Sequence, residues 1–199
     1  MSLLFETISI RNGVAENLDW HQQRLEASWQ KLSGKRSCIL LANELSIPAH
    51  AMTGHFRCRV DYSEKITKTE FSPYRVKEIN HLKLIDDNQI DYSLKFSDRT
   101  RLNHLFSLRQ GADDILIVKQ GKITDTSFAN IIFWDGKAWF TPSTPLLAGT
   151  CRARMLDQGL IFEADISPAD LSQFTAFKLI NALRCADEIA ASKTENISK

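Results

Sequence analysis

The alternation Arg57-Cys58-Arg59 puts two guanidinium groups on one face of an extended segment, because side chains in a strand repeat every second residue. That face is either a solvated sheet surface or a clamp for a carboxylate. Lys95 stands just before a predicted helix with Asp98 as its N-cap. There the positive end of the dipole would disfavour an ammonium and free a neutral amine; the alternative is an ordinary surface lysine. Asp125, ahead of Thr126-Ser127, reads by itself as a turn cap. Gly149-Thr150-Cys151 opens a further predicted helix, whose first N–H groups could hold an anion. Arg24 lies at the edge of an apolar helical stripe, where a lone arginine is ordinarily solvated.

Other chemistries lose their warrant. The five histidines, at 21, 50, 55, 81 and 104, show no HxxxH or HxH pairing. The four cysteines, Cys38, Cys58, Cys151 and Cys185, show no CxxC. No metal site is expected, and the thiols read as reduced. GxSxG, GxxxxGK[ST] and GxGxxG are all absent.

These residues need elements to position them. Leu3 to Ile10 alternates as a strand, and Asn12-Gly13 reads as a hairpin-type turn. Asn17 or Asp19 caps a helix that runs to about Leu32, with Leu25, Trp29 and Leu32 as its stripe and Gly34 as its stop. A short helical piece is expected at Leu45 to Met52, then strands at His55 to Tyr62, Ile66 to Phe71 and Tyr74 to Leu84. After the helix that begins at Asp98, Ile115 to Val118 reads as a buried strand. A hairpin follows about Asp135-Gly136, then a helix over Thr150 to Gln158 and an apolar strand over Phe174 to Ile180. The polar tail after Ala191 is expected to fray. Ser72-Pro73 marks the junction of two domains, a small one over 1–72 and a larger one over 76–199. Strands and helices mix without strict alternation, so the fold class is α+β.

Composition agrees with a globular enzyme-sized chain. Its 199 residues are 43% hydrophobic and 25% charged, which excludes disorder and fibrous structure. A formal net charge of +1 gives no basic excess for a nucleic-acid backbone. The N-terminus has no basic segment ahead of its short apolar run, and no run reaches bilayer length. A cytoplasmic protein without a membrane or nucleic-acid partner is expected.

Ordered motifs go further than composition. Phe5-Glu6-Thr7-Ile8 and Trp20-His21-Gln22-Gln23-Arg24-Leu25 resemble the FET-[IV] and HxxRL pair that opens class IV aminotransferases. These are the pyridoxal 5'-phosphate (PLP) enzymes of fold type IV. The resemblance continues through Lys95 with Asp98-Arg99, through Gly111-Ala112-Asp113-Asp114-Ile115-Leu116, and through Ile123-Thr124-Asp125 to Asn130-Ile131. It runs on through Thr141-Pro142, Leu146-Leu147-Ala148-Gly149-Thr150-Cys151-Arg152 and the stretch from Ala176 to Ile189. It implies a two-domain fold of the D-amino-acid aminotransferase kind, trimmed at its N-terminus, with PLP held between the domains.

The resemblance also implies roles. Lys95 would carry the cofactor and move the substrate proton, and Asp125 would face the pyridine nitrogen, where the family has Glu. Arg24, with the Thr150 and Cys151 amides, would hold the phosphate; the family commonly has Thr in place of Cys151. Asn181 matches a position near the phosphate. Thr7 falls where aminodeoxychorismate lyases carry Thr, and Arg57 and Ala182 would face the substrate. The reaction implied is elimination of the 4-amino-4-deoxychorismate lyase type, releasing pyruvate. The alternatives are an aminotransferase acting on a branched-chain or D-amino acid and a degenerate, non-catalytic PLP-fold protein. A homodimer is expected, since Trp20, Trp29 and the other large apolar residues exceed what a trimmed small domain covers.

Overall fold

The computed structural model describes residues 3–199. The chain forms two compact units: residues up to 76 together with 94–98, and residues 77–93 together with 99–199. The segment that carries Lys95 thus groups with the first unit, although the chain around it belongs to the second.

The first unit is a four-stranded sheet under one long helix. Its elements are β1 (Leu4–Arg11), β2 (Val14–Ala15), α1 (Leu18–Ser33), α2 (Leu41–Glu44), β3 (His55–Tyr62) and β4 (Ile66–Pro73), with strand order β2-β1-β3-β4. Asn12 and Gly13 both adopt positive φ, 48° and 78°, as a tight hairpin turn between β1 and β2 requires. α1 stops at Gly34, whose φ of 73° places it in the left-handed region and lets its N–H bond the Gln30 carbonyl. Leu4, Ile8 and Ile10 of β1 and Cys58, Val60 and Tyr62 of β3 form the core with Leu25 and Leu41.

The second unit contains a nine-stranded sheet. It comprises β5 (Leu82–Asp86), α3 (Thr100–Ser107), β6 (Asp114–Lys119), β7 (Lys122–Thr126), β8 (Asn130–Trp134), β9 (Trp139–Pro142), α4 (Thr150–Asp157), β10 (Phe162–Ala164), β11 (Ala176–Ile180), β12 (Ser192–Lys193) and β13 (Ile197–Ser198). β11 runs antiparallel to β8 along its whole length. Leu116, Val118, Ile131, Phe133, Phe177 and Leu179 fill the core beneath.

Five expectations need correction. The helix after Lys95 starts at Thr100, with Arg99 rather than Asp98 at its N-cap position. Lys95 precedes that helix by five residues, and a dipole effect fades within one turn, so the argument that it frees the amine falls. The helical piece expected at Leu45 to Met52 lies earlier, as α2, followed by a single 3-10 turn at Ala49–Ala51. Residues 74–81 form no strand, and the chain becomes extended only at Leu82. The tail does not fray: β12 pairs with β11, and β13 pairs in parallel with β5.

Candidate active site

In the first unit the register of β1 and β3 decides which residues meet. Phe5 pairs with Asp61, Thr7 with Arg59 and Ser9 with Arg57, so these six side chains share one face. Lys95 reaches the same face. Its carbonyl accepts the Phe5 N–H at 3.0 Å, and its Nζ lies 4.8 Å from the centroid of the Phe5 ring. Arg59 stacks on that ring at 3.8 Å and is gripped by Asp61 through Nε and Nη2 at 2.7 and 2.6 Å. Burial works against the Asp61 charge, but Arg59 and a bond from Ser97 hold its carboxyl below the usual range. Thr7 is half-buried and Arg57 exposed.

The opposite face carries a buried ionic cluster. Glu6 is inaccessible to solvent and lies beneath α1. His21 Nδ1 meets its Oε2 at 2.6 Å, Arg24 Nε donates to its Oε1 at 2.9 Å, and Arg24 Nη2 donates to Oε2. The spacing of His21 and Arg24, three residues apart on one helix face, lets both reach the same carboxylate. Burial alone would raise Glu6, but the Arg24 charge and the two hydrogen-bond partners outweigh it and hold the carboxyl at about 2. Glu6 and His21 were visible only as letters of a motif. The i, i+3 spacing of His21 and Arg24 was the signal that could have linked them.

In the second unit three strands line up their ends. Asp125 of β7 pairs with Asn130 of β8, which pairs with Ile180 of β11, and Asn181 follows at once. The turn from Thr126 to Ala129 is closed by the Thr126 hydroxyl, not by Asp125. The Asp125 side chain instead accepts the Asn130 Nδ2 at 2.8 Å and the Leu147 N–H at 2.9 Å. Asn130 also donates to the Leu147 carbonyl at 3.0 Å. At Gly149 a Cβ would stand 1.9 Å from Asn130 Oδ1, so only glycine allows this approach. Asp125 and the start of α4 are therefore joined through one asparagine. Burial pushes the Asp125 carboxyl up to about 6, against the donors from Leu147 and Asn130.

α4 begins without a side-chain cap, and the first N–H groups of any α-helix have no intrahelical acceptor. Arg152 fixes the helix by donating to the Thr141 hydroxyl, the Pro142 carbonyl and Glu163. Cys151 turns its sulfur into an apolar cluster with Ile132, Met155, Ile161 and Ile180, and burial raises the thiol to about 11. Only its backbone N–H can serve an anion. Asn181 donates to the Phe128 carbonyl at 3.4 Å and accepts the Leu183 N–H, and Ala182 sits in that turn, half-buried.

The sequence-predicted residues thus fall into two groups. Thr7, Arg57 and Lys95 share a sheet face in the first unit, while Arg24 lies on the other face of that sheet. Asp125, Thr150, Cys151, Asn181 and Ala182 belong to the second unit. Among the described residues, no group of His, Cys, Asp and Glu could hold a metal ion, and no helix is long and apolar enough to cross a membrane.

A protein of uncharacterised function from Haemophilus influenzae is 40% identical over 182 residues, which is 90% of this chain and 97% of that protein. The crystal structure of a candidate 4-amino-4-deoxychorismate lyase from Haemophilus somnus is 40% identical, covers 93% of this chain and 98% of its own, and superposes with a TM-score of 0.88. A hypothetical aminotransferase of Mycobacterium tuberculosis, in PLP-bound form, shares the fold at 17% identity, with a TM-score of 0.78 over 98% of this chain and 81% of that one. The amino-transferase class IV family matches residues 3–191. The chain belongs to the amino-transferase class IV family, whose enzymes depend on PLP.

Proposed function

We propose that this protein is a PLP-dependent lyase of the 4-amino-4-deoxychorismate lyase type, which releases pyruvate from its substrate. The residues present fit the cofactor. α4 offers uncapped N–H groups to a phosphate, and Asp125 offers a buried carboxylate that only amides contact by hydrogen bond. When bound, PLP supplies an electron sink for charge developing at the substrate Cα. Asp125 would accept a hydrogen bond from the ring nitrogen and keep it protonated. Arg24, the Thr150 and Cys151 N–H groups and Asn181 would bind the phosphate. Lys95 would hold the cofactor covalently and carry the proton at Cα through its Nζ.

The observation that carries the lyase reading is the Lys95 face of the first sheet. The amine stands over Phe5, on the sheet face that also carries Thr7, the residue expected of a lyase, and the whole-chain relative with 40% identity is a lyase candidate. Incubation with 4-amino-4-deoxychorismate should release pyruvate. Amino transfer to 2-oxoglutarate without pyruvate release would make the protein an aminotransferase, and neither activity in PLP-loaded protein would make it a scaffold. Borohydride reduction and peptide mapping should leave the pyridoxyl group on Lys95; a label on Lys83 or Lys119 removes Lys95 from its role.

A further inference from the structure

We propose that Phe128 sorts substrates by the flatness of their ring, stacking on an unsaturated ring and passing over a saturated one. The proposal deepens the lyase reading above and rests on it, because 4-amino-4-deoxychorismate carries its reacting amine directly on an unsaturated six-membered ring. A surface that meets that ring must stand close to the groups that hold the cofactor. The turn 126–129 follows Asp125 without a break and leads into Asn130, which bonds Asp125. Within it the ordinary placing of residue types is inverted. Thr126, Ser127 and Ala129 are buried, whereas Phe128, the largest of the four, is 36% exposed.

The exposed ring is held in place. The Thr126 hydroxyl closes the turn, donating to the Ala129 carbonyl at 3.0 Å and accepting its N–H at 3.1 Å. Arg99 Nη2 donates to the Ser127 carbonyl at 2.7 Å, and Asn181 Nδ2 to that of Phe128 at 3.4 Å. Arg184 closes a second turn with Asn181 and lays its guanidinium over the Phe128 ring, 5.6 Å from the centroid. Its Nη1 donates to the Lys77 carbonyl at 3.1 Å, and the residue is only 2% exposed. The buried cation thus covers one side of the ring and leaves the water-facing side to a ligand. A cation on one face draws π density from the other, so the free face suits a neutral unsaturated ring better than a second cation. Backbone and ring are fixed in advance. Stacking on them costs little of the ordering entropy that a mobile surface phenylalanine would lose on binding.

The test measures dissociation constants by ligand-observed NMR for PLP-loaded wild type, Phe128→Ala, Phe128→Leu and Phe128→Tyr. Benzoate and cyclohexanecarboxylate are the probes, because they share charge, carbon number and ring size and differ in flatness. Wild type should favour benzoate about 3- to 10-fold. Phe128→Ala and Phe128→Leu should both lose that preference, since leucine restores apolar bulk without a π face. Phe128→Tyr should keep it. PLP uptake, read by visible absorbance, should be the same in all four proteins. A wild type without the preference, or a leucine variant that retains it, overturns the proposal. So does a Phe128→Ala protein that keeps the preference but takes up less PLP or sediments differently, since the ring would then face the cofactor or a second copy of the chain. If Phe128→Ala fails to fold, Phe128→Leu decides. A wild type that takes up no PLP overturns the preceding functional reading, and the same titration of that protein still decides whether Phe128 sorts rings.

Discussion

Glu6 and Asp125 are both almost fully buried, one in each unit, and yet they titrate in opposite directions. Burial raises both, but at Glu6 the chain brings the Arg24 guanidinium and the His21 ring from α1 and the carboxyl stays at about 2. At Asp125 the hydrogen-bond partners are a side-chain amide and a backbone N–H, and the carboxyl rises to about 6. Neutral donors only partly offset the loss of water, whereas a guanidinium at hydrogen-bond distance more than offsets it. The difference teaches what each acid is for. Glu6 has its counter-charge, Arg24, within the first unit and reads as part of the fold. Asp125 accepts hydrogen bonds only from amides among the described residues, as its proposed contact with a protonated pyridine requires.

Substitutions can break that contrast at either end. Glu6→Gln should have the largest effect, about 3–5 kcal/mol of stability, because Arg24 and His21 would be left buried beside a neutral group. Urea denaturation measures it, and a loss well under 1 kcal/mol would remove the cluster from the account of the fold. Asp125→Asn keeps the size of the side chain and removes its charge. It should retain PLP while turnover falls about 100- to 1000-fold. An Asn variant with full turnover would return Asp125 to a purely structural role and favour the scaffold alternative.

Arg24→Ala tests the residue that the contrast turns on, since Arg24 serves Glu6 and is also proposed to bind phosphate. PLP affinity should fall by about 1.5–3 kcal/mol, as for a charge-assisted hydrogen bond. Unchanged affinity with reduced stability would leave Arg24 serving Glu6 alone. The contrast also has a signature in the pH dependence of stability. Glu6 is depressed on folding, so wild type should gain on Glu6→Gln as pH rises from about 2 to 4.5. Asp125 is raised, so cofactor-free wild type should lose ground to Asp125→Asn as pH rises from 3.8 to about 6. Bound PLP should flatten that second slope and leave the first alone. Parallel slopes at the two sites, followed by denaturation across that pH range, would erase the contrast.

Local patterns were legible in the sequence where local physics decides. The alternation in β1 and β3, the Asn12-Gly13 turn and the Gly34 stop follow from strand period and positive φ, and all three are present. What failed depended on distant partners. Ser192 and Ile197 look like a polar tail until β11 and β5 supply edges for them. Asp98 has the side chain of a cap, but the helix starts beyond it. At the site, alternation placed Arg57 and Arg59 on one face without distinguishing them. The distinction comes from Phe5 and Lys95, which meet Arg59 only after β1 pairs with β3. Asp125 could not be told from a turn cap because Leu147, which holds it, lies far along the chain.

The strap at 94–98 has a consequence for how the chain is made. It lies along the edge of β1 that β2 leaves uncovered: Phe5 donates to the Lys95 carbonyl, and Ser97 donates to that of Leu3. A nascent chain released only to residue 76 exposes those strand groups with nothing to pair them, and an exposed edge invites other chains. The first unit, though it begins the sequence, cannot be finished until the ribosome has also delivered β5 and the loop beyond it. Its last-closing piece is the one that carries Lys95, so the amine reaches its place only when that sheet is complete. An unfinished fold is thereby kept from placing the lysine proposed to hold PLP over the Phe5 ring.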